Sequence, residues 1–90
     1  MPRKHIILSG DVQGVGFRYH TLRSAEQLGL AGWVRNLSNG DVEIEAEGEE
    51  EALQVFLDDV REGPSWARVR DTDVADREET GARGGFEVRY

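Results

Sequence analysis

The chain has 90 residues, no cysteine, and 18 acidic against 11 basic side chains for a net charge of −7. That length is expected to form one domain over residues 1–90, and the missing cysteines exclude disulfides, thiolate metal sites and a thiol nucleophile, making the cytoplasm the expected compartment. The acidic excess argues against a nucleic-acid or anionic membrane partner, and the apolar run Ile6 to Leu8 is too short for a signal peptide or a membrane span.

His5 to Val12 reads as a strand, with Ile6, Leu8, Gly10 and Val12 on one face. Arg18 to about Leu28 follows as a helix in which Tyr19, Leu22, Ala25 and Gly29 recur at helical spacing, and Gly29 to Gly32 stops it. A short strand, Trp33 to Leu37, is expected to turn at Asn39-Gly40, a two-residue hairpin signal, into Asp41 to Glu47. In that next strand Val42, Ile44 and Ala46 alternate with Glu43, Glu45 and Glu47, which predicts one buried face and one wet face. Glu49 to Glu51 put negative charge in the first turn of a second helix, whose apolar stripe is Ala52, Leu53, Phe56, Leu57 and Val60, and Gly63-Pro64 ends it. Trp66 to about Val74 is a fourth strand of weaker alternation, Asp76 to Gly85 a polar loop expected to be mobile, and Phe86, Val88 and Tyr90 alternate in a closing strand. The order βαββαβ plus one strand predicts an α+β, ferredoxin-like sandwich: an antiparallel sheet of four to five strands with two helices on one face.

Gly10-Asp11-Val12-Gln13-Gly14-Val15-Gly16-Phe17-Arg18 carries a strand through a glycine-rich turn into a helix with arginine in its first turn. Gly14 and Gly16 open backbone dihedrals closed to other residues, so that successive N–H groups can face one anion beside the positive end of the helix. A cation in that first turn opposes the helix dipole, and a bound anion would compensate it. The alternative is a tight turn beside a solvated arginine. In the predicted topology strand 3 lies between strands 1 and 2, so this loop and the end of strand 2 share one edge about 10 Å apart. Asn36 lies at that edge; it is a poor strand former whose amide both donates and accepts. It would either orient a water against a phosphate or bond backbone near the turn.

Leu8 to Arg18 resembles the first acylphosphatase signature, and Gly32-Trp33-Val34-Arg35-Asn36, followed by Gly40, Val42 and Gly48, resembles the second. The closing Phe86-Glu87-Val88-Arg89-Tyr90 is similar to the C-terminal strand of that family. The resemblance implies an enzyme that hydrolyses the carboxyl-phosphate bond of small acyl phosphates to carboxylate and inorganic phosphate, with no metal and no cofactor. It further implies that Arg18 and the backbone N–H groups of Val15, Gly16, Phe17 and Arg18 hold the phosphate, with Gly14 shaping the loop. Asn36 would position the attacking water, and the substrate's own phosphate oxygen would take its proton. A monomer acting on a small molecule is the expected form.

Competing chemistries fit less well. A phosphocysteine enzyme lacks its nucleophile, a P-loop lacks Lys-Ser/Thr after its glycines, and His5 and His20 have no ligand-like neighbour in sequence. The RNA-recognition motif shares the βαββαβ order, but the open face here would carry Ile7, Ser9, Glu43, Glu45 and Glu47, and glutamates repel phosphates. The alternative function is a non-catalytic module that binds or delivers an acyl or carbamoyl phosphate. Trp33 and Trp66 are assigned to packing.

Overall fold

A computed structural model describes residues 1–14 and 16–90. The elements are β1 (Arg3–Asp11), α1 (Phe17–Gln27), β2 (Ala31–Asn36), β3 (Val42–Glu47), α2 (Glu50–Glu62), β4 (Arg68–Arg77) and β5 (Phe86–Arg89). They form one five-stranded sheet in the order β4-β1-β3-β2-β5. This is the expected ferredoxin-like α+β sandwich, with β3 between β1 and β2.

Alternation drives the layering. Ile6 and Leu8 on β1, Val34 on β2, and Val42, Ile44 and Ala46 on β3 are buried beneath the helices with Phe17, Phe56 and Val60. Each fully buried Phe contributes about 1.5–3 kcal/mol relative to exposure. The α2 stripe is as expected: Leu53, Phe56 and Val60 are buried, and Ala52 and Leu57 pack against them. In α1 the buried set is Phe17, Thr21, Ser24 and Ala25, and Tyr19 is exposed, contrary to the predicted stripe. The two polar members are accommodated because the Thr21 hydroxyl donates to the Phe17 carbonyl and the Ser24 hydroxyl to Asp59.

The sheet is mixed rather than wholly antiparallel, since β5 pairs parallel with β2 while the other three pairings are antiparallel. The cause is the crossing from one edge to the other. β4 ends beside Arg3, residues 78–85 pass beneath the end of β3, and the Gly32 N–H donates to the Gly85 carbonyl where β5 begins. β5 therefore starts where β2 starts and runs the same way.

Three local expectations are corrected. β4 occupies Arg68–Arg77, so residues expected in a loop are strand; as a polar edge strand it offers little alternation to read. The loop that follows is tied down, because the Thr80 and Gly81 N–H groups and the Thr80 hydroxyl all donate to the buried Glu47 carboxylate. The hairpin is a three-residue reversal: the Leu37 N–H donates to Asp41 and the Gly40 N–H to Leu37. A two-residue turn of the expected type needs positive φ at both centres. Among the described residues only glycines have it, here Gly40 at 99°.

Candidate active site

β1, β2 and β5 all deliver their C-terminal ends to one edge of the sheet, where α1 begins. Gly14, Gly16, Arg18 and Asn36 line a single open cavity there of about 680 Å³, with Tyr19, Leu22, Val88 and Tyr90 completing it. The structure thus brings together the two sequence motifs. Val15 lies outside the described residues.

The loop is built on two backbone conformations that side-chain-bearing residues rarely adopt, φ +141° at Gly14 and +103° at Gly16. Gly16 is the N-cap of α1, which has no side-chain cap and no acidic residue in its first turn. The uncapped positive end of a helix thus faces the cavity with nothing negative supplied by the helix itself. Phe17 sends its ring into the core, and its N–H reaches the Gly14 carbonyl only at 3.5 Å. The Arg18 guanidinium lies over the Tyr90 ring, 4.5 Å from its centroid, and one N–H reaches the Arg89 carbonyl at 3.4 Å.

Asn36 ends β2, opposite Val42. Its Oδ1 is buried and has no hydrogen-bond partner, the sole such side-chain atom among the described residues. Leaving a buried acceptor unpaired costs about 1–3 kcal/mol, so the orphan asks for a donor from the cavity that the residue lines.

Two supporting residues escaped the sequence. Gln13 donates through its amide to the Leu37 carbonyl at 2.6 Å and the Asp41 carbonyl at 2.8 Å, stitching the glycine loop to the hairpin that follows Asn36. Trp66, expected to be a core or sheet-packing residue, is 46% exposed, and its indole packs against the loop. A Cβ on Gly14 would stand 3.3 Å from the indole ring and one on Gly16 would stand 3.8 Å from its Nε1. The indole also meets the Phe17 ring edge-on, with centroids 6.4 Å apart. No periodicity marks a residue in the turn before an edge strand, so neither its exposure nor its partner was readable.

Away from this edge, Glu43 and Glu47 have lowered pKa values. Burial pushes that of Glu43 up, but the hydrogen bonds from His5 and Arg35 and the attraction of both groups together outweigh it. Glu47 is lowered to about 2, first by the Thr80 N–H and further by the Thr80 hydroxyl, Arg3 and the Gly81 N–H, with burial opposing. Both carboxylates lie on or under the open sheet face and take no part in the cavity. The described residues contain no group of three or more His, Asp or Glu placed to hold a metal, and no helix is long and apolar enough to cross a membrane.

Fold and edge together define the class: a ferredoxin-like α+β protein with a glycine loop, an arginine and an asparagine at one end of its sheet. The family model named Acylphosphatase matches residues 4–88, and the chain belongs to the acylphosphatase family of hydrolases. It is 51% identical over 79 residues to an acylphosphatase of Moorella thermoacetica, covering 88% of this chain and 85% of the relative. It superposes on the crystal structure of acylphosphatase from Bacillus subtilis with a TM-score of 0.94 and 42% identity over the whole of both chains. It also superposes on part of the HypF structure from T. kodakarensis, with a TM-score of 0.85 and 33% identity, covering 100% of this chain and 12% of that one.

Proposed function

We propose that residues 1–90 act as a single cytoplasmic acylphosphatase domain that cleaves the carboxyl-phosphate bond of small acyl phosphates without a metal or cofactor. The observation that carries this is the convergence of Gly14, Gly16, Arg18 and Asn36, whose Oδ1 has no partner, on one cavity. The cysteine-free sequence supports the compartment.

The substrate's phosphoryl oxygens take the planar fork of Arg18 and the N–H groups of Gly16, Phe17 and Arg18 at the helix start, together with that of Val15. The long Phe17-to-Gly14 contact is one that a phosphoryl oxygen replaces at little cost. The side-chain amide of Asn36 hydrogen-bonds a water and holds its oxygen in line with phosphorus. That oxygen forms a bond to phosphorus as the bond to the bridging oxygen breaks, and the electron pair leaves on the carboxylate. The proton lost by the water passes to a phosphoryl oxygen, giving carboxylate and inorganic phosphate. A carboxylate is a good leaving group, so no general acid is required; the donors stabilise charge on the equatorial oxygens.

The likeness to one segment of the longer HypF chain supports a second reading, a module that binds an acyl or carbamoyl phosphate for another active site. Phosphate release from acetyl phosphate in EDTA by the 90-residue protein separates the two. Turnover in EDTA supports the enzyme. A folded protein that binds inorganic phosphate and turns nothing over supports the module.

A further inference from the structure

The cavity has two chemically unlike halves. Gly14, Gly16, Arg18 and Asn36 make the polar half, while Leu22, Val88 and the rings of Tyr19 and Tyr90 make the other. Leu22 stands one helical turn beyond Arg18 on the same face of α1. Val88 on β5 and Tyr90 just past its end line the cavity beside that helix. Tyr19 and Tyr90 are two of the few large apolar side chains left exposed, at 60% and 98%, and both sit on this one rim.

Size and charge say what the second half receives. At about 680 Å³ the cavity falls within the range of sites for whole small molecules, about 300–1,000 Å³, so a phosphoryl group at the loop leaves room beside it. Arg18 is the one charged side chain in the described lining. The other cations nearest in sequence to the far wall lie outside that lining: Arg23 stands over the Tyr19 ring, 5.9 Å from its centroid, and lines a separate hollow with His20 and Asp59, while Arg35 and Arg89 are turned away on the open sheet face. Arg35 bonds Glu43, Arg89 bonds Glu87, and both guanidinium groups stand over Trp33. A second negative charge on the acyl group would therefore find no cation beyond Arg18 in the lining, in a chain of net charge −7.

We propose, resting on the acylphosphatase reading, that Tyr19, Leu22, Val88 and Tyr90 form an acyl subsite that selects uncharged apolar acyl groups, aromatic ones first, over acyl groups bearing their own carboxylate or phosphate. The tyrosine rings offer faces for an aromatic acyl group, and Leu22 and Val88 offer a floor for an aliphatic one.

The test compares acetyl, benzoyl and 4-carboxybenzoyl phosphate with the 90-residue protein, each kcat/KM divided by the rate of uncatalysed hydrolysis to remove intrinsic reactivity. The expected profile has benzoyl phosphate at least about tenfold above each of the other two, with both Leu22→Ser and Val88→Thr narrowing the gap to about threefold or less. Val88→Thr keeps volume on an edge strand and decides the matter if Leu22→Ser does not fold. Equal values for the three substrates, or a preference that both folded variants retain, overturn the subsite and leave the acylphosphatase reading standing. Failure to hydrolyse any of the three overturns both.

Discussion

The guanidinium of Arg18 rests on the ring of Tyr90, 4.5 Å from its centroid, and pairs with no carboxylate among the described residues. A ring beneath a planar cation fixes its plane and leaves its N–H edge for the cavity. Arg18→Lys keeps the charge and loses the fork, and is expected to lower kcat/KM by about 10²–10³-fold. Arg18→Ala is expected to lose more. Stability moves little in Arg18→Ala: relief of the helix dipole, about 0.3–1 kcal/mol, offsets the lost ring contact, about 0.5–1 kcal/mol. Urea melts beside steady-state rates check both, and loss of activity through unfolding contradicts the assignment.

Asn36→Ala removes the orphaned acceptor. It is expected to lower kcat about 10²-fold while KM changes little, because in the proposed mechanism the amide acts on the water and the loop holds the phosphate. The variant is expected to be at least as stable as the parent, since no hydrogen bond to Oδ1 is lost and a buried unpaired acceptor is removed. A large rise in KM with kcat preserved would assign Asn36 to substrate binding instead.

Trp66 acts through the loop it covers. Trp66→Ala is expected to raise KM and the inhibition constant of inorganic phosphate by about tenfold, the loss of an aromatic pair worth about 0.5–1.5 kcal/mol. kcat is expected to fall less than KM rises, and Trp66→Phe to restore most of the affinity. Indole fluorescence is expected to change as phosphate titrates the loop. Unchanged phosphate affinity in a folded Trp66→Ala variant contradicts the positioning role.

Glu47 anchors the crossing from β4 to β5, and its folded-state pKa of about 2 lies below the ordinary value of 4.5. A depressed carboxylate pKa contributes stability that is fully present above the unfolded value and is lost as pH falls through the folded one. The difference in Tm between wild type and Glu47→Gln is therefore expected to be constant above pH 4.5 and to shrink from there toward pH 2. Glu43, also lowered, contributes to both proteins and cancels in the comparison. A difference independent of pH over that window contradicts the ionised clasp at Glu47.

The glycine loop and the element order were legible because each has a local signature. Gly14 and Gly16 mark a backbone that other residues resist, and the alternation of Val42, Ile44 and Ala46 with glutamates leaves one way to face the core. What was hidden depends on partners distant in sequence. Thr21 and Ser24 are buried because Phe17 and Asp59 accept from them, which no hydropathy pattern records. β4 has one neighbour and polar flanks, so its length was set by pairing with β1 rather than by its own residues. The far wall of the cavity needed the parallel placement of β5, and that follows from the Glu47 clasp on residues 80–81.

In the proposed mechanism water positioned by Asn36 attacks phosphorus rather than the carbonyl carbon. Hydrolysis of benzoyl phosphate in ¹⁸O-water, with both products analysed by mass spectrometry, separates the two. Label in inorganic phosphate and none in benzoate is the predicted result. Label in benzoate would mean attack at the carbonyl carbon, which an oxyanion loop on the phosphoryl group and a water on Asn36 do not produce.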